Sequence, residues 1–69
     1  MKTNFPERLQ ELLHENKISQ RKLAGEIGVT SAAVSAWCRG LKQPTADNIA
    51  AVAQFFGVTA DYLLGLSDY

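Results

Sequence analysis

The sequence is poor in the residues that form covalent cross-links and metal sites. Among its 69 residues, Cys38 is the single cysteine and His14 the single histidine. A lone cysteine cannot form an internal disulfide, which agrees with a reducing compartment, so we expect a cytoplasmic protein. No base or acid is placed to make Cys38 a nucleophile, and we expect a plain thiol. His14 has no partner ligand within a recognisable site, so we expect a surface histidine and no metal.

Long hydrophobic runs and catalytic constellations are also missing. No stretch approaches the roughly 20 apolar residues of a membrane span, and residues 1–20 lack the basic start and apolar core of a secretion signal. The sequence shows no paired carboxylates for acid–base chemistry, no Ser/His or Cys/His arrangement and no glycine-rich phosphate loop. We therefore expect neither a membrane protein nor an enzyme, and we expect no cofactor.

The sequence has no excess charge of either sign, because seven Lys and Arg residues balance seven Asp and Glu residues. The cations are concentrated, however, since five of them against the single acidic residue Glu26 give residues 17–44 a local charge of +4. These cations are Lys17, Arg21, Lys22, Arg39 and Lys42. Duplex phosphates respond to such a local patch rather than to the total charge. The alternative is an ordinary solvated surface with chance clustering.

The most informative stretch is residues 19–40, SQRKLAGEIGVTSAAVSAWCRG. It predicts a helix over about Ser19–Glu26, with Ser19 as its N-cap. Gly28 then interrupts at a sharp turn, where we expect a positive φ. A second helix is predicted over about Ser31–Arg39, capped by Thr30 and ended by Gly40 as a left-handed residue.

Small and apolar residues fit the contact between these two helices. Ala24 is small where the helices would approach most closely, and Val34 and Trp37 are three residues apart on one inward face. We expect Trp37 to lie in the core rather than to stack on bases. Two short helices crossed through a tight turn containing glycine form a helix-turn-helix, whose second helix enters the DNA major groove. The alternative is a plain pair of packed helices in a small bundle.

Nearly the whole chain, residues 9–64, resembles the Cro/repressor-type (Xre-like) helix-turn-helix family of phage and bacterial regulators. The matching segments are SQRKLAGEIGV, TSAAVSAWCRG, LKQPTADNIAAVAQFFGV and TADYLLG. The resemblance implies an all-α fold, a compact five-helix bundle of the lambda-repressor-like DNA-binding type, with residues 1–69 as a single domain. It also implies a regulator, a repressor in our interpretation, that binds double-stranded DNA at a palindromic operator as a homodimer.

Three further helices are predicted around residues 19–40. The first spans about Phe5–Asn16 and opens with a capping box of Asn4 and Glu7. The fourth spans about Ala46–Phe56 after the cap Thr45, and the fifth follows the cap Thr59. Apolar residues at helical spacing predict the core contributions of these helices. They are Phe5, Leu9, Leu12 and Leu13, then Ile49, Val52, Ala53 and Phe56, then Tyr62 and Leu63.

The resemblance also assigns the residues that contact DNA. Gln20 is expected to donate a hydrogen bond to a phosphate from the first turn of its helix, the alternative being a solvated polar residue. Arg21 and Lys22 face outward and can neutralise phosphates without reading bases. Arg39 and Lys42 are expected on the backbone flanking the groove, although the helix dipole alone also favours cations there. The cap Thr30 and four base-facing positions complete the site: Ser31, Ala32, Ser35 and Ala36.

The base-facing set departs from the better-known phage repressors, which place Gln, Asn or Arg there. Alanine offers only apolar contact with a thymine methyl, and serine bonds to several bases. We therefore expect weak or water-mediated direct readout, with more weight on DNA shape and phosphate contacts. The neutral charge and this Ala/Ser face leave one alternative open, a protein-interaction module of the same fold with little DNA binding.

Apolar residues near the C-terminus are left over after the core is filled. Leu64, Leu66 and Tyr69 favour a homodimer through this region, and the alternative is a frayed tail. The closing LGLSDY is similar to the start of a linker in longer family members. The chain is therefore either a whole protein or the DNA-binding domain of a longer regulator.

Overall fold

Five α-helices are present in residues 4–68, the part of the chain that the computed structural model describes. In chain order they are α1 (Phe5–Glu15), α2 (Gln20–Ile27), α3 (Ser31–Cys38), α4 (Ala46–Phe56) and α5 (Ala60–Leu63). Residues 4–68 contain no strand, and the predicted all-α, five-helix fold is confirmed. None of these helices is long and apolar enough to cross a membrane.

The last four helices begin with the same kind of cap. A side-chain hydroxyl accepts a hydrogen bond from the backbone N–H three residues later, at 3.0–3.2 Å. The cap residues are Ser19, Thr30, Thr45 and Thr59, all with extended backbone. Each such bond satisfies a donor that the helix itself leaves unpaired, and its loss costs about 1 kcal/mol. The four predicted hydroxyl caps are therefore confirmed.

The predicted capping box at the start of α1 is wrong. Asn4 has φ −89° and ψ 15° and makes no side-chain cap hydrogen bond. This backbone is not extended, so the side chain does not fold back over the first turn. The Asn4 side chain lies against Gly65 instead, where a Cβ on the glycine would come within 2.8 Å of Asn4 Nδ2. The two ends of the described chain are therefore adjacent.

All five helices end with a left-handed residue followed by an apolar one. The left-handed residues have φ between 55° and 78°, and they are Lys17, Gly28, Gly40, Gly57 and Gly65. Each apolar residue donates its N–H to the carbonyl five positions earlier, at 2.8–3.0 Å, which is the long bond of a Schellman motif. These donors are Ile18, Val29, Leu41, Val58 and Leu66. The positive φ values predicted at Gly28 and Gly40 are confirmed.

One hydrophobic core joins the five helices. Leu9, Leu23, Val34, Val52 and Leu63 are fully buried, one from each helix. Trp37 is 4% exposed, which confirms its predicted place in the core, and its ring meets Phe5 edge-on with centroids 6.2 Å apart. Ala24 is buried where α2 and α3 make the most extensive contact between any two helices. Core contacts with both α1 and α2 therefore hold α3 in place.

The short helix α5 is fastened to α1 by an aromatic contact. The Arg8 guanidinium lies over the Tyr62 ring, 4.4 Å from its centroid. A hydrogen bond with Tyr62 is the main cause of a raised Arg8 pKa. Arg8 Nη2 also lies 3.8 Å from the Asp68 carboxylate, but Asp68 is 95% exposed, so solvent weakens that pair. Tyr62 therefore anchors the end of the chain more than Asp68 does.

Candidate nucleic-acid interface

The turn between α2 and α3 is short and rigidly defined. Gly28 has φ 78° and ψ 32°, and both its N–H and that of Val29 bond to the Ala24 carbonyl, at 2.9 and 3.0 Å. A Cβ at Gly28 would meet no atom within 4 Å, so glycine is favoured there by its backbone conformation rather than by lack of space. Val29 packs against the core, and Thr30 caps α3. Three residues thus connect the two helices.

Helix α3 has a buried side and an open side. The buried side consists of Val34, Trp37 and Cys38, with Ala33 packed against the core at the edge. On the open side, Ser31 and Ala32 are exposed, while Ser35 and Ala36 are half-buried. We call these last four residues the open face of α3. The structure therefore brings the four predicted base-facing positions onto one side of one helix.

The open face of α3 consists of two parallel rows of side chains, one of hydroxyl groups and one of methyl groups. Residues four apart line up on a helix surface. Ser31 and Ser35 consequently form a row of hydroxyls, and Ala32 and Ala36 form a row of methyl groups. The face therefore offers small groups of two kinds and no formal charge.

Two further predicted site residues lie at helix N-termini. The Thr30 hydroxyl oxygen accepts a hydrogen bond from Ala33 N–H at 3.1 Å. The hydroxyl group can therefore still donate its own hydrogen to another acceptor. Gln20 is the first residue of α2 and is half-buried. It lines a shallow depression between α1 and α2 together with His14 and Ile18. Its position at a helix N-terminus suits an anion such as a phosphate.

Most of the cations on residues 17–44 are unpaired. Arg21, Arg39 and Lys42 are exposed, and no carboxylate within residues 4–68 lies within 4.0 Å of their charged nitrogens. Lys22 differs, because its Nζ lies 3.2 Å from Glu26 Oε2, four residues along α2. Sequence reasoning counted both charges and missed the pair, although their spacing was the signal for it. Lys22 therefore contributes less to a positive surface than its three neighbours.

The exit from α3 is held against α1. The Gln10 amide of α1 donates a hydrogen bond to the Cys38 carbonyl, the last residue of α3. Gly40 follows close to Pro6, since a Cβ added to Gly40 would lie 3.8 Å from Pro6 Cγ, an ordinary van der Waals distance. These contacts position Arg39 and the start of the loop that carries Lys42. Sequence reasoning missed Gln10, since nothing local indicates a partner 28 residues away.

Cys38 has the character of a structural thiol. It is buried, and desolvation raises the pKa of its thiol. The thiolate is the nucleophilic form, so the raised pKa and the burial both disfavour reaction of Cys38 at neutral pH. Across residues 4–68, no group of three or more His, Cys, Asp and Glu side chains is placed to hold a metal ion.

The residues predicted to form a dimer interface differ in their exposure. Leu66 is 69% exposed and Leu64 is half-buried, while Tyr69 lies outside the described residues. Leu41, which sequence reasoning did not single out, is 66% exposed. Leu41 and Val58 both follow a left-handed glycine, but Val58 packs against the core, so the sequence pattern does not distinguish them.

Comparisons with known proteins agree on a helix-turn-helix family. A helix-turn-helix family model matches residues 9–63. The uncharacterized HTH-type transcriptional regulator YobD of Bacillus subtilis (strain 168) is 31% identical over 64 residues, which are 93% of this chain and 57% of YobD. The HTH-type transcriptional activator BcrR of Enterococcus faecalis is 35% identical over 60 residues, 87% of this chain and 29% of BcrR. The chain thus spans less than two thirds of the length of either relative.

A solved structure matches the fold over nearly the whole chain. The P22 c2 repressor, crystallised in complex with a synthetic operator, superposes with a TM-score of 0.86. It is 28% identical, and the match covers 97% of this chain and 100% of the repressor chain. The resemblance identified from the sequence is thereby confirmed. The chain belongs to the Cro/repressor-type helix-turn-helix family.

Proposed function

We propose that this chain is a sequence-selective, double-stranded DNA-binding transcriptional regulator that places α3 in the major groove. The observation that carries the proposal is the open face of α3 on the second helix of a helix-turn-helix, with exposed, unpaired cations on the neighbouring segments. The likeness to the P22 c2 repressor, which was solved in complex with a synthetic operator, supports binding of this domain to DNA. In this proposal the protein needs neither metal nor cofactor and acts in the cytoplasm.

The proposed mechanism separates affinity from selectivity. Arg21, Arg39 and Lys42 neutralise phosphates on either side of the groove, and Gln20 donates to a phosphate from the N-terminus of α2. These contacts do not depend on base sequence, and they fix the register of the domain on the duplex. The major groove is about 12 Å wide and admits an α-helix. Thr30 and the open face of α3 then supply the contacts to base edges.

We further propose a homodimer on a palindromic operator. A single α3 with small side chains covers few base edges, and two copies related by twofold symmetry double the contacts. The half-sites would lie about one helical turn apart. The exposed Leu66 and the half-buried Leu64 support an interface near the C-terminus, and the proposal includes Tyr69, which lies outside the described residues.

We propose that the protein represses transcription, because it is similar to the P22 c2 repressor. A domain bound over a promoter excludes RNA polymerase. A reporter gene placed downstream of the selected operator tests this directly. Expression that falls when the protein is produced supports repression, whereas expression that rises assigns the activator role that the name of BcrR carries.

Selection of duplexes from a random pool, at two salt concentrations, tests the central proposal. We expect enrichment of a palindrome whose half-site spacing also reports the dimer. Binding should weaken steeply between about 50 and 200 mM salt, because phosphate contacts release counterions. A pool that shows no enrichment, with weak salt-sensitive binding, would instead favour a protein-interaction module of the same fold.

Charge-removing variants test the proposed phosphate contacts. Arg39→Ala and Lys42→Ala should each weaken binding on every sequence and flatten the plot of log K against log salt by about 0.9. The control is the double variant Lys22→Ala/Glu26→Ala, which removes an existing ion pair without changing net charge. Its slope should stay close to that of the parent protein. Unchanged slopes in both single variants would remove Arg39 and Lys42 from the phosphate contacts.

A further inference from the structure

The single histidine of the chain lies beside a residue of the proposed DNA interface. His14 is exposed near the end of α1, and together with Gln20, the first residue of α2, it lines a depression of about 310 Å³. The proposed function assigns a phosphate to Gln20. His14 is therefore placed beside that phosphate, on a different helix. Among the residues that line the depression, His14 and Cys38 are the titratable ones.

The turn between α1 and α2 fixes the backbone of His14 relative to Gln20. The N–H of Lys17 donates to the His14 carbonyl at 3.2 Å, and the N–H of Ile18 donates to the Leu13 carbonyl at 2.9 Å. These two bonds tie the turn that leads into α2 to the last turn of α1. The two residues that line the depression from opposite sides of this turn therefore keep a constant backbone separation.

The charged groups near His14 do not pair with its imidazole. Within residues 4–68, no carboxylate lies within 4.0 Å of the ring nitrogens. Two acidic and two basic residues lie close to His14 or Gln20 along the chain, and their charges balance. They are Glu11 and Glu15 on α1, Lys17 in the turn and Arg21 on α2. Helix α3 contributes Cys38, whose thiol stays uncharged because burial raises its pKa. A proton on His14 therefore adds a charge that no neighbouring carboxylate neutralises.

Histidine is the side chain that gains a positive charge as pH falls from 8 to 5. Attraction between that charge and a phosphate in the same depression is only partly screened, because the Debye length is about 10 Å at 0.1 M salt. We infer, on the basis of the proposed function, that His14 is a further phosphate contact that operates only when its imidazole is protonated. Binding to DNA then strengthens as pH falls. The effect is the same on every base sequence, because a phosphate contact does not read bases.

Fluorescence anisotropy at pH 8.0 and pH 5.5 measures this effect. Two duplexes of equal length are compared, the one selected from the random pool and one of unrelated sequence. Between pH 8.0 and pH 5.5 we expect Kd to fall about fourfold for each bound subunit, the effect of one exposed charge pair, and by the same factor on both duplexes. The plot of log K against log salt should be steeper at pH 5.5 by about 0.9 for each subunit. Thermal unfolding at both pH values confirms that the protein is folded.

Protein variants assign the effect to His14. His14→Gln is neutral at both pH values and should bind at either pH as the parent protein does at pH 8.0. His14→Lys is charged at both and should bind at either pH as the parent does at pH 5.5. The matched control moves the histidine without changing the composition, in the double variant His14→Gln/Gln54→His. Gln54 is exposed on α4 and lines a different depression, between α2 and α4. This variant should behave like His14→Gln.

The possible results separate this inference from the proposed function. Selective binding with the same Kd at both pH values overturns the role of His14 and leaves the proposed function standing. A pH effect that persists in His14→Gln belongs to another group, and one that reappears in the double variant reflects total charge; either result overturns the inference. So does a His14→Lys variant that binds no tighter than His14→Gln at pH 8.0. A random pool that yields no preferred duplex, with no salt-sensitive binding, overturns the proposed function and the inference together.

Discussion

Replacing Gly25 and Gly28 by alanine adds the same methyl group at two nearby positions, and stability should change in opposite directions. Gly25 lies inside α2 with helical backbone, whereas Gly28 follows α2 with φ 78°. At neither position would the added Cβ meet an atom within 4 Å. Steric conflict with neighbours is therefore absent from both variants. The difference between them isolates backbone conformation.

The expected magnitudes follow from these conformations. Alanine in a helix interior is more favourable than glycine by about 0.5–1 kcal/mol, so Gly25→Ala should stabilise the fold by that amount. A residue with a Cβ costs about 1–2 kcal/mol in the left-handed region, so Gly28→Ala should destabilise it by about 1 kcal/mol. In a domain of this size, 1 kcal/mol shifts Tm by about 4–8 °C.

Thermal unfolding followed by circular dichroism at 222 nm measures both shifts, and urea titration gives the corresponding free energies. We expect Tm to rise for Gly25→Ala and to fall for Gly28→Ala. A fall in both would show that Gly25 is required for packing, against the open space observed around it. A rise in both would show that the backbone at Gly28 is not held in the left-handed conformation.

Three further changes test other parts of the structure. Lys17→Gly should stabilise the fold by about 0.5–1 kcal/mol in urea titration, because Lys17 has φ 55°, whereas Lys17→Ala retains a Cβ and should not. Trp37→Ala should cost about 3–5 kcal/mol as a cavity variant; a Tm that barely moves would contradict the burial of this ring. Native Cys38 should react slowly with iodoacetamide at pH 7, because its raised pKa keeps the thiol protonated, and faster as pH rises or urea is added. Equal rates with and without urea would show that Cys38 is accessible.

Local signals predicted most of the fold. A hydroxyl residue in extended backbone before a helix is a short-range device, so Thr30 and Thr45 could be identified as caps from sequence alone. The burial of Trp37 followed from its spacing to Val34 on one helix face. The error at Asn4 has the opposite origin. The Asn4 side chain lies against Gly65, which is 61 residues away in the sequence. No local sequence pattern predicts such a contact.

The candidate site was predictable in its outline but not in its electrostatics. The outward positions of Ser31 and Ala32 on α3 were implied by the family resemblance, and the structure exposes both. The reduced charge of Lys22 depends on where a flexible side chain lies, and the sequence allowed but did not require the pair with Glu26. The bond from Gln10 to the end of α3 depends on how α1 crosses α3, which is a property of the packed fold.

The contact between Asn4 and Gly65 makes the backbone almost a closed ring. A short peptide bridge that joins the backbone near Asn4 to the backbone near Gly65 would therefore have little distance to span and would introduce little strain. Closing a loop of this length removes chain entropy from the unfolded ensemble, about 4 kcal/mol in the simplest treatment. Cyclisation would thus add a large fraction of the total stability of such a small domain while leaving α3 and its open face untouched.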